Sequence, residues 1–442
     1  MYPNLYYLVR DWFGVELKGL EFLNMFGLMV AISFVAAAIV LRKELQRKEK
    51  QGLLLPREET ITVGKPASGM ELILNAVAGF LFGFKIGGLF FDKPADVSAQ
   101  DYIFSGHGHV LSGLLLAVVL VAMKWYEKKK QQLKTPEQRS VRIWPHDRVG
   151  DFAIIALVLG ILGAKVFDNL ENWDDFIKDP IGRLFAPAGL TFYGGLIVAA
   201  IGVCWYAAKK GVKLIHLLDA AGPALMIAYA VGRIGCQVAG DGDWGIHNSA
   251  YVNDSTGKVV LAQPGDYQKN LQQHADYFLR GKVRVPNKDS MVSVAGAQAT
   301  SLEQISHASF KAPSFLPVWM VAYNYPKNVN ADGVFIPGDN DEHNKVLPQP
   351  VFPTPFYEVI MGTLLFLLLM FLRKRIKTAG VLFGIYLVVN GLERFLIEKI
   401  RVNTTYSIFG FHPTQAELIS AGLVIAGLVL IVYKLRKKGA ES

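Results

Sequence analysis

The chain has 442 residues, 52% of them hydrophobic, and a mean hydropathy of +0.29. That is too apolar for an ordinary soluble protein of this length, and the apolar residues fall in blocks of about twenty. The net charge of +9 is no nucleic-acid signature, because the basic residues gather in short loops between those blocks, the positive-inside pattern. Cys204 and Cys236 both lie in apolar blocks, which excludes a disulfide framework.

The chain therefore reads as an all-α polytopic membrane protein with about nine transmembrane helices, N-terminus out and C-terminus in. Residues 1–20 form an amphipathic lead-in. The first span, about Glu21 to Leu41, follows the acidic Asp11 and Glu16 and has no clear small-residue cleavage site, so no cleavable signal peptide is expected. It ends in a basic stretch, Arg42 to Lys48. Span two, about Glu71 to Phe91, exits into an acidic loop, and span three, about Gly106 to Trp125, returns to Lys128-Lys129-Lys130. Span four, about Asp151 to Phe167, precedes a second acidic loop. Span five, about Leu190 to Tyr206, ends at Lys209-Lys210, and span six runs from Leu214 to Val238.

Residues 246–350 contain no apolar block and are rich in Asn, Asp, Pro and Gly. They read as an extracytoplasmic insert, partly folded because Tyr, Phe and Trp are scattered through it. The insert separates a first membrane part, 1–245, from a second, 351–442. The second holds span seven (about Pro355 to Leu372), span eight (about Gly380 to Ile400) and span nine (about Gln415 to Leu435). An internal repeat is also visible. Gly83-Phe84-Lys85-Ile86 matches Gly163-Ala164-Lys165-Val166, and Trp125-Tyr126 matches Trp205-Tyr206, both at an offset of 80 residues.

Polar residues inside the spans sort by end. Tyr193 opens span five, Arg233 closes span six and Glu358 opens span seven. Arg394, Glu398 and Arg401 close span eight, so all of these fall towards the outer face. Asp219 precedes Arg233 by 14 residues, which at the helical rise is about 21 Å deeper. Arg394, Glu398 and Arg401 share one helix face. Arginines at one depth with carboxylates to orient them form a cradle for a phospholipid phosphate, although interfacial snorkelling also accounts for each taken singly. His107 and His109 lack further ligands, so no metal site is expected.

These residues carry a resemblance. Gly232-Arg233-Ile234-Gly235-Cys236 resembles the signature of the prolipoprotein diacylglyceryl transferase family, and Asp219 precedes it at a fitting distance. Phe192-Tyr193-Gly194-Gly195-Leu196-Ile197 is similar to that family's His/Tyr-Gly-Gly-Leu-Ile segment. Phe356-Tyr357-Glu358 is similar to its Leu-Tyr-Glu, and Arg394, Glu398 and Arg401 fall at the spacing of its late Arg-x-x-x-Glu-x-x-Arg. Met25-Phe26-Gly27-Leu28 resembles its first-span Trp-Tyr-Gly-Leu. The likeness covers span one and spans four to nine. The family core has seven spans, which makes spans two and three an added copy of a helix pair. Well-studied members carry His where Tyr193 stands, Tyr where Phe26 stands and Asn where Cys236 stands.

The resemblance implies a bacterial inner-membrane enzyme with its site towards the extracytoplasmic leaflet. It would move diacylglycerol from phosphatidylglycerol to the lipobox cysteine of a prelipoprotein signal peptide, with no metal or organic cofactor and no nucleic acid. Arg233, Arg394, Tyr193 and Glu398 would be its catalytic residues. Asp219, Gly194, Gly195, Gly232, Gly235, Glu358, Arg401 and Phe26 would bind substrate, within the surrounding membrane lipid. The alternative is a non-catalytic phospholipid-binding or lipid-transporting protein on the same scaffold.

Overall fold

A computed structural model describes residues 1–94, 97, 102–103, 105–186, 189, 191–279, 283–284, 291–292, 302–402, 411 and 413–440. The chain is mostly helical. In chain order the long or site-bearing helices are α1 (Leu5–Phe13), α2 (Met25–Lys50), α3 (Gly69–Phe91), α4 (Val110–Gln131) and α5 (Val149–Glu171). They continue with α6 (Phe192–Lys209), α7 (Leu214–Ala239), α8 (Thr354–Leu372), α9 (Val381–Glu398) and α10 (Gln415–Ala440).

Among the described residues, eight helices are long and apolar enough to cross a membrane, one fewer than the sequence suggests. The difference is α9. It forms where span eight was expected, but Glu393, Arg394 and Glu398 lie within its 18 residues and lower its apolarity. The first span also differs. It starts at Met25 and continues to Lys50, because the basic stretch stays helical with Glu44 and Lys48 buried. The expected start of span five, Leu190, lies outside the described residues.

One compact unit comprises Asn4–Asn24 and Leu55–Asp147. Its helices α3 and α4 pack through small residues. A Cβ added at Gly83 would lie 2.4 Å from the Ser112 carbonyl oxygen, so only glycine permits this approach. Ser68 and Glu71 close a capping box at the start of α3. Two strands complete the unit, β1 (Arg57–Val63) and β2 (Glu137–Ile143). They pair antiparallel, with Arg57 opposite Ile143, Thr60 opposite Ser140 and Val63 opposite Glu137.

The other unit comprises Met1–Pro3, Met25–Leu54 and Arg148–Ser442. Here α5 packs on α6, α2 and α8 on α7, and α9 on α10. Buried Leu45, Leu54, Val149, Phe152, Ala207, Val212, Leu217 and Ala220 form one apolar core. The described residues of the 246–350 insert form local structure. The insert contains short two-stranded pairs, such as Tyr251–Asn253 with Val259–Leu261, and the helix Asp266–Gln273, and its Tyr325 and Leu347 form a small core with the flanking Trp244 and Val351. These pairs make the chain mostly, rather than wholly, α-helical.

The repeat extends beyond the matching tetrapeptides. Both α3 and α5 have 23 residues, and their bounds differ by 80, as do those of β1 and β2. Lys85 donates to the Ser105 and His107 carbonyls, and Lys165 donates to those of Ala186 (2.9 Å) and Gly189 (3.3 Å). Each lysine thus ties down the loop that follows its helix. Lys129 sits over the Trp125 ring and Lys209 over that of Trp205.

Candidate functional site

The end of α7 contributes the first half of the site. Gly232 and Gly235 flank Arg233 but do different work. A Cβ at Gly235 would lie 2.9 Å from the Met29 Cβ on α2, whereas one at Gly232 would meet nothing within 4 Å. Gly235 therefore lets two helices approach, and Gly232 faces open space. The helix stops at Gly240, whose left-handed φ of +66° leaves the backbone free to turn. The turn carries Asp243 back to pair with Arg233. The same carboxylate pairs with Arg401, just beyond the end of α9, and Thr354 Oγ1 donates to the Asp243 carbonyl at 2.7 Å.

Glu358, on the second turn of α8, is the centre of the arrangement. It is fully buried, yet three guanidinium groups reach it. Arg233 Nε lies 3.3 Å from Oε2, Arg394 Nη1 3.3 Å from Oε1 and Arg401 Nη1 3.9 Å from Oε1. Tyr229, one turn before Arg233, donates to Glu358 at 2.8 Å, and its hydroxyl lies 3.0 Å from Glu393. Arg394 makes a further pair with Glu398 at 3.2 Å, the i,i+4 contact that the spacing predicts.

The electrostatics follow from burial and pairing. Glu358, Glu393 and Glu398 are buried, so each needs a charged or hydrogen-bonding partner, and each has one here. The arginine side chains keep 18% (Arg233), 20% (Arg394) and 9% (Arg401) of their surface exposed. Each guanidinium carries five N–H donors and the contacts above engage only some of them, so a ligand anion can be added without breaking the pairs. Desolvation raises the Asp243 carboxyl pKa, but Arg401 and Arg233 more than offset this and hold it down at about 2. Cys236, Asp241 and Asp243 bring one ligand atom each within 4.8 Å of one another. Their donors suit a divalent cation, although Asp243 already gives both carboxylate oxygens to guanidinium groups.

The model of the family described as prolipoprotein diacylglyceryl transferase matches residues 109–433, more than half of the chain. The chain belongs to that family. Relatives named phosphatidylglycerol–prolipoprotein diacylglyceryl transferase occur in Streptococcus pyogenes serotypes M5 (strain Manfredo), M49 (strain NZ131) and M1. Each is 26% identical over 339 residues, which span 75% of this chain and 90% of theirs. The protein is thus a multi-pass membrane transferase of a lipoprotein-modifying family. The match begins at His109, so α2, with its Phe26 segment, lies before it.

Within this chain the structure brings together Arg233, Glu358, Arg394, Glu398 and Arg401. Asp219 is elsewhere. Its carboxylate accepts the Gly380 and Phe383 N–H groups at 2.9 and 3.0 Å and lies 3.4 Å from Lys48 Nζ. It therefore caps the first turn of α9, whose free N–H groups need an acceptor. Gly194 and Gly195 are buried against α5. Added Cβ atoms would lie 2.3 Å from Phe167 and 2.7 Å from the Gly160 carbonyl oxygen, so close helix packing accounts for both. Tyr193 is half-buried at the start of α6, edge-on to Phe192. Among the described residues no hydrogen bond joins it to the arginine cluster. Phe26 packs near Gly235 on α7 and is 40% exposed.

Three participants do not stand out in the sequence: Tyr229, Asp243 and Glu393. Signals for two of them exist. Glu393 is an ionisable group inside an apolar run and adjoins an arginine. Tyr229 sits one turn before Arg233, on the same helix face. Asp243 is visible only as half of a Gly-Asp-Gly-Asp turn, and nothing in the local pattern shows which aspartate turns inward.

Proposed function

We propose that this chain transfers the diacylglyceryl group from phosphatidylglycerol to the lipobox cysteine thiol of prelipoproteins and releases glycerol phosphate. The observation that carries the reading is the convergence of Arg233, Arg394 and Arg401 on the buried Glu358, each with part of its side chain exposed. The streptococcal relatives bear the name of that reaction.

In the proposed step the cysteine sulfur attacks the glycerol carbon that carries the phosphodiester. A sulfur–carbon bond forms, the carbon–oxygen bond breaks, and the electron pair leaves with glycerol phosphate. The thiol proton balances the charge, ending on the phosphate or in solvent. Arg233 and Arg394 oppose the charge that develops on the leaving phosphate, and a preorganised pair does so without reorganising as the bond breaks. A free thiol has a pKa of about 8.5, so the same positive field also favours the attacking thiolate. Glu358, Glu398 and Asp243 hold the guanidinium groups in place rather than react. The lipid enters from the extracytoplasmic leaflet of the bacterial inner membrane, and the signal helix of the prelipoprotein docks beside it.

The test uses purified protein, phosphatidylglycerol and a lipobox peptide. Arg233→Ala and Arg394→Ala should each lower transfer by about a hundredfold or more, the usual loss when a charge-stabilising donor is removed, with the helical fold retained. Near-normal turnover in both variants would remove the phosphate-cradle reading.

A further inference from the structure

The insert contains a closed loop to which the proposed transfer step assigns no role. Residues 310–321 leave and return to one buried asparagine. Asn248 Oδ1 accepts the Phe310 N–H at 3.1 Å, and Asn248 Nδ2 donates to the carbonyls of Phe310 (2.8 Å) and Val321 (3.0 Å). Asn248 is itself fully buried, so both ends of the loop are fixed to the body of the insert. The Tyr251 hydroxyl accepts the Ala312 N–H at 2.9 Å, and tight turns at Pro313 and Pro317 shape the rest. This is the geometry of an Ω-loop, with its ends pinned and its tip free.

The tip is apolar. Phe315 is 80% exposed, and Phe310, Val318 and Trp319 are exposed beside it. A folded loop that holds large apolar groups out in water loses burial energy, which points to another phase that covers them. Its chemistry and position say which phase. Between Glu303 and Asp332 the sequence has no acidic residue, and Lys311 is the one charge in the loop. The loop is also attached to the beginning of a membrane-crossing helix. The Trp319 ring packs 4.8 Å from that of Phe356, and the Tyr357 hydroxyl donates to the Met320 carbonyl at 2.7 Å. Phe356 and Tyr357 lie in the first turn of α8, the level at which aromatic side chains meet the headgroup region. The apolar tip therefore continues the lipid-facing surface of α8.

We infer that the 310–321 loop is a membrane-contact loop, with Phe315 and Trp319 seated in the lipid interface beside α8 and Lys311 among anionic headgroups. The insert is then held to the bilayer at a second point besides the chain segments that enter α7 and α8.

The test places a photoreactive side chain at the tip of the full-length protein. Phe315→benzoylphenylalanine, and Ser314→benzoylphenylalanine as a second position in case the first fails to fold, are reconstituted in bilayers of phosphatidylethanolamine and phosphatidylglycerol. They are irradiated with and without a lipobox peptide, and the adducts are identified by mass. The expected result is phospholipid adducts at both positions, unchanged by the peptide. Unreacted ketone or protein adducts alone, from variants that keep their helical content, would overturn the inference. Adducts with added peptide in place of lipid would also overturn it, and would assign the loop to the protein substrate.

Discussion

Glu358→Gln is the most informative single change, because one side chain is removed as a charge while its shape is kept. The wild-type carboxylate lies 3.3 Å from both Arg233 and Arg394 and 3.9 Å from Arg401. The amide can still accept from the Tyr229 hydroxyl, and no guanidinium is stranded: Arg233 and Arg401 keep Asp243, and Arg394 keeps Glu398. The loss is therefore two good charged contacts and one weak one. A charged hydrogen bond contributes about 1.5–3 kcal/mol net, and the guanidinium groups are partly solvated, which lowers each contact towards the bottom of that range. The expected cost is about 3 kcal/mol in unfolding free energy. Catalysis should suffer as well, since a displacement of about 1 Å in a positioning group can cost about a hundredfold in rate. Denaturant unfolding in mild detergent measures the first effect, and transfer to a lipobox peptide the second. Wild-type stability and wild-type turnover together would refute the view that Glu358 organises the arginines.

Asp219→Asn keeps an acceptor at the start of α9 but leaves Lys48 without its carboxylate. Because both partners of that pair are buried, the change should cost about 3 kcal/mol or more in unfolding free energy while turnover per folded molecule stays near wild type; a selective loss of turnover would return Asp219 to the substrate site. Tyr193→Phe removes only the hydroxyl. If that group positions the thiol or passes its proton along, the variant is slower at saturating lipid, and Tyr193→His restores much of the rate; a Phe variant matching wild type across pH would make Tyr193 structural. Thr256→Cys places a thiol on the exposed turn between Tyr251–Asn253 and Val259–Leu261. An impermeant maleimide should label it on intact spheroplasts if the insert is extracytoplasmic, and labelling only after lysis would invert the topology.

The helices were legible because a membrane allows few alternatives. A backbone in hydrocarbon must satisfy its own hydrogen bonds, so long apolar blocks become helices wherever they occur. The arginine cluster was legible for a related reason, since a charge near the end of an apolar block needs a partner. Which partner was not legible. Asp219 and Asp243 both sit near family-like motifs, yet one caps α9 and the other bridges Arg233 and Arg401. The choice depends on how α7 and α9 cross, a long-range property that no local window contains. Gly194 and Gly195 show the same limit. A glycine pair signals close approach, but sequence alone does not say whether the visitor is a ligand or, as here, the neighbouring α5. The insert was hardest to read, because its strands are two or three residues long and carry little periodicity.

The pairing of β1 with β2 has a symmetry of its own. With the repeat offset of 80, Thr60 corresponds to Ser140, and these two residues face each other at the centre of the ladder. Moving outward, Arg57 faces the counterpart of Val63, and Val63 faces the counterpart of Arg57. Each strand therefore meets the other through the same surface, the isologous arrangement of a two-fold dimer written within one polypeptide. A protein with a single copy of this unit would expose that strand as an unpaired edge, free to pair with the same strand of another molecule. Duplication turns an encounter between two chains into a contact within one, at a local concentration set by the connecting residues rather than by expression level.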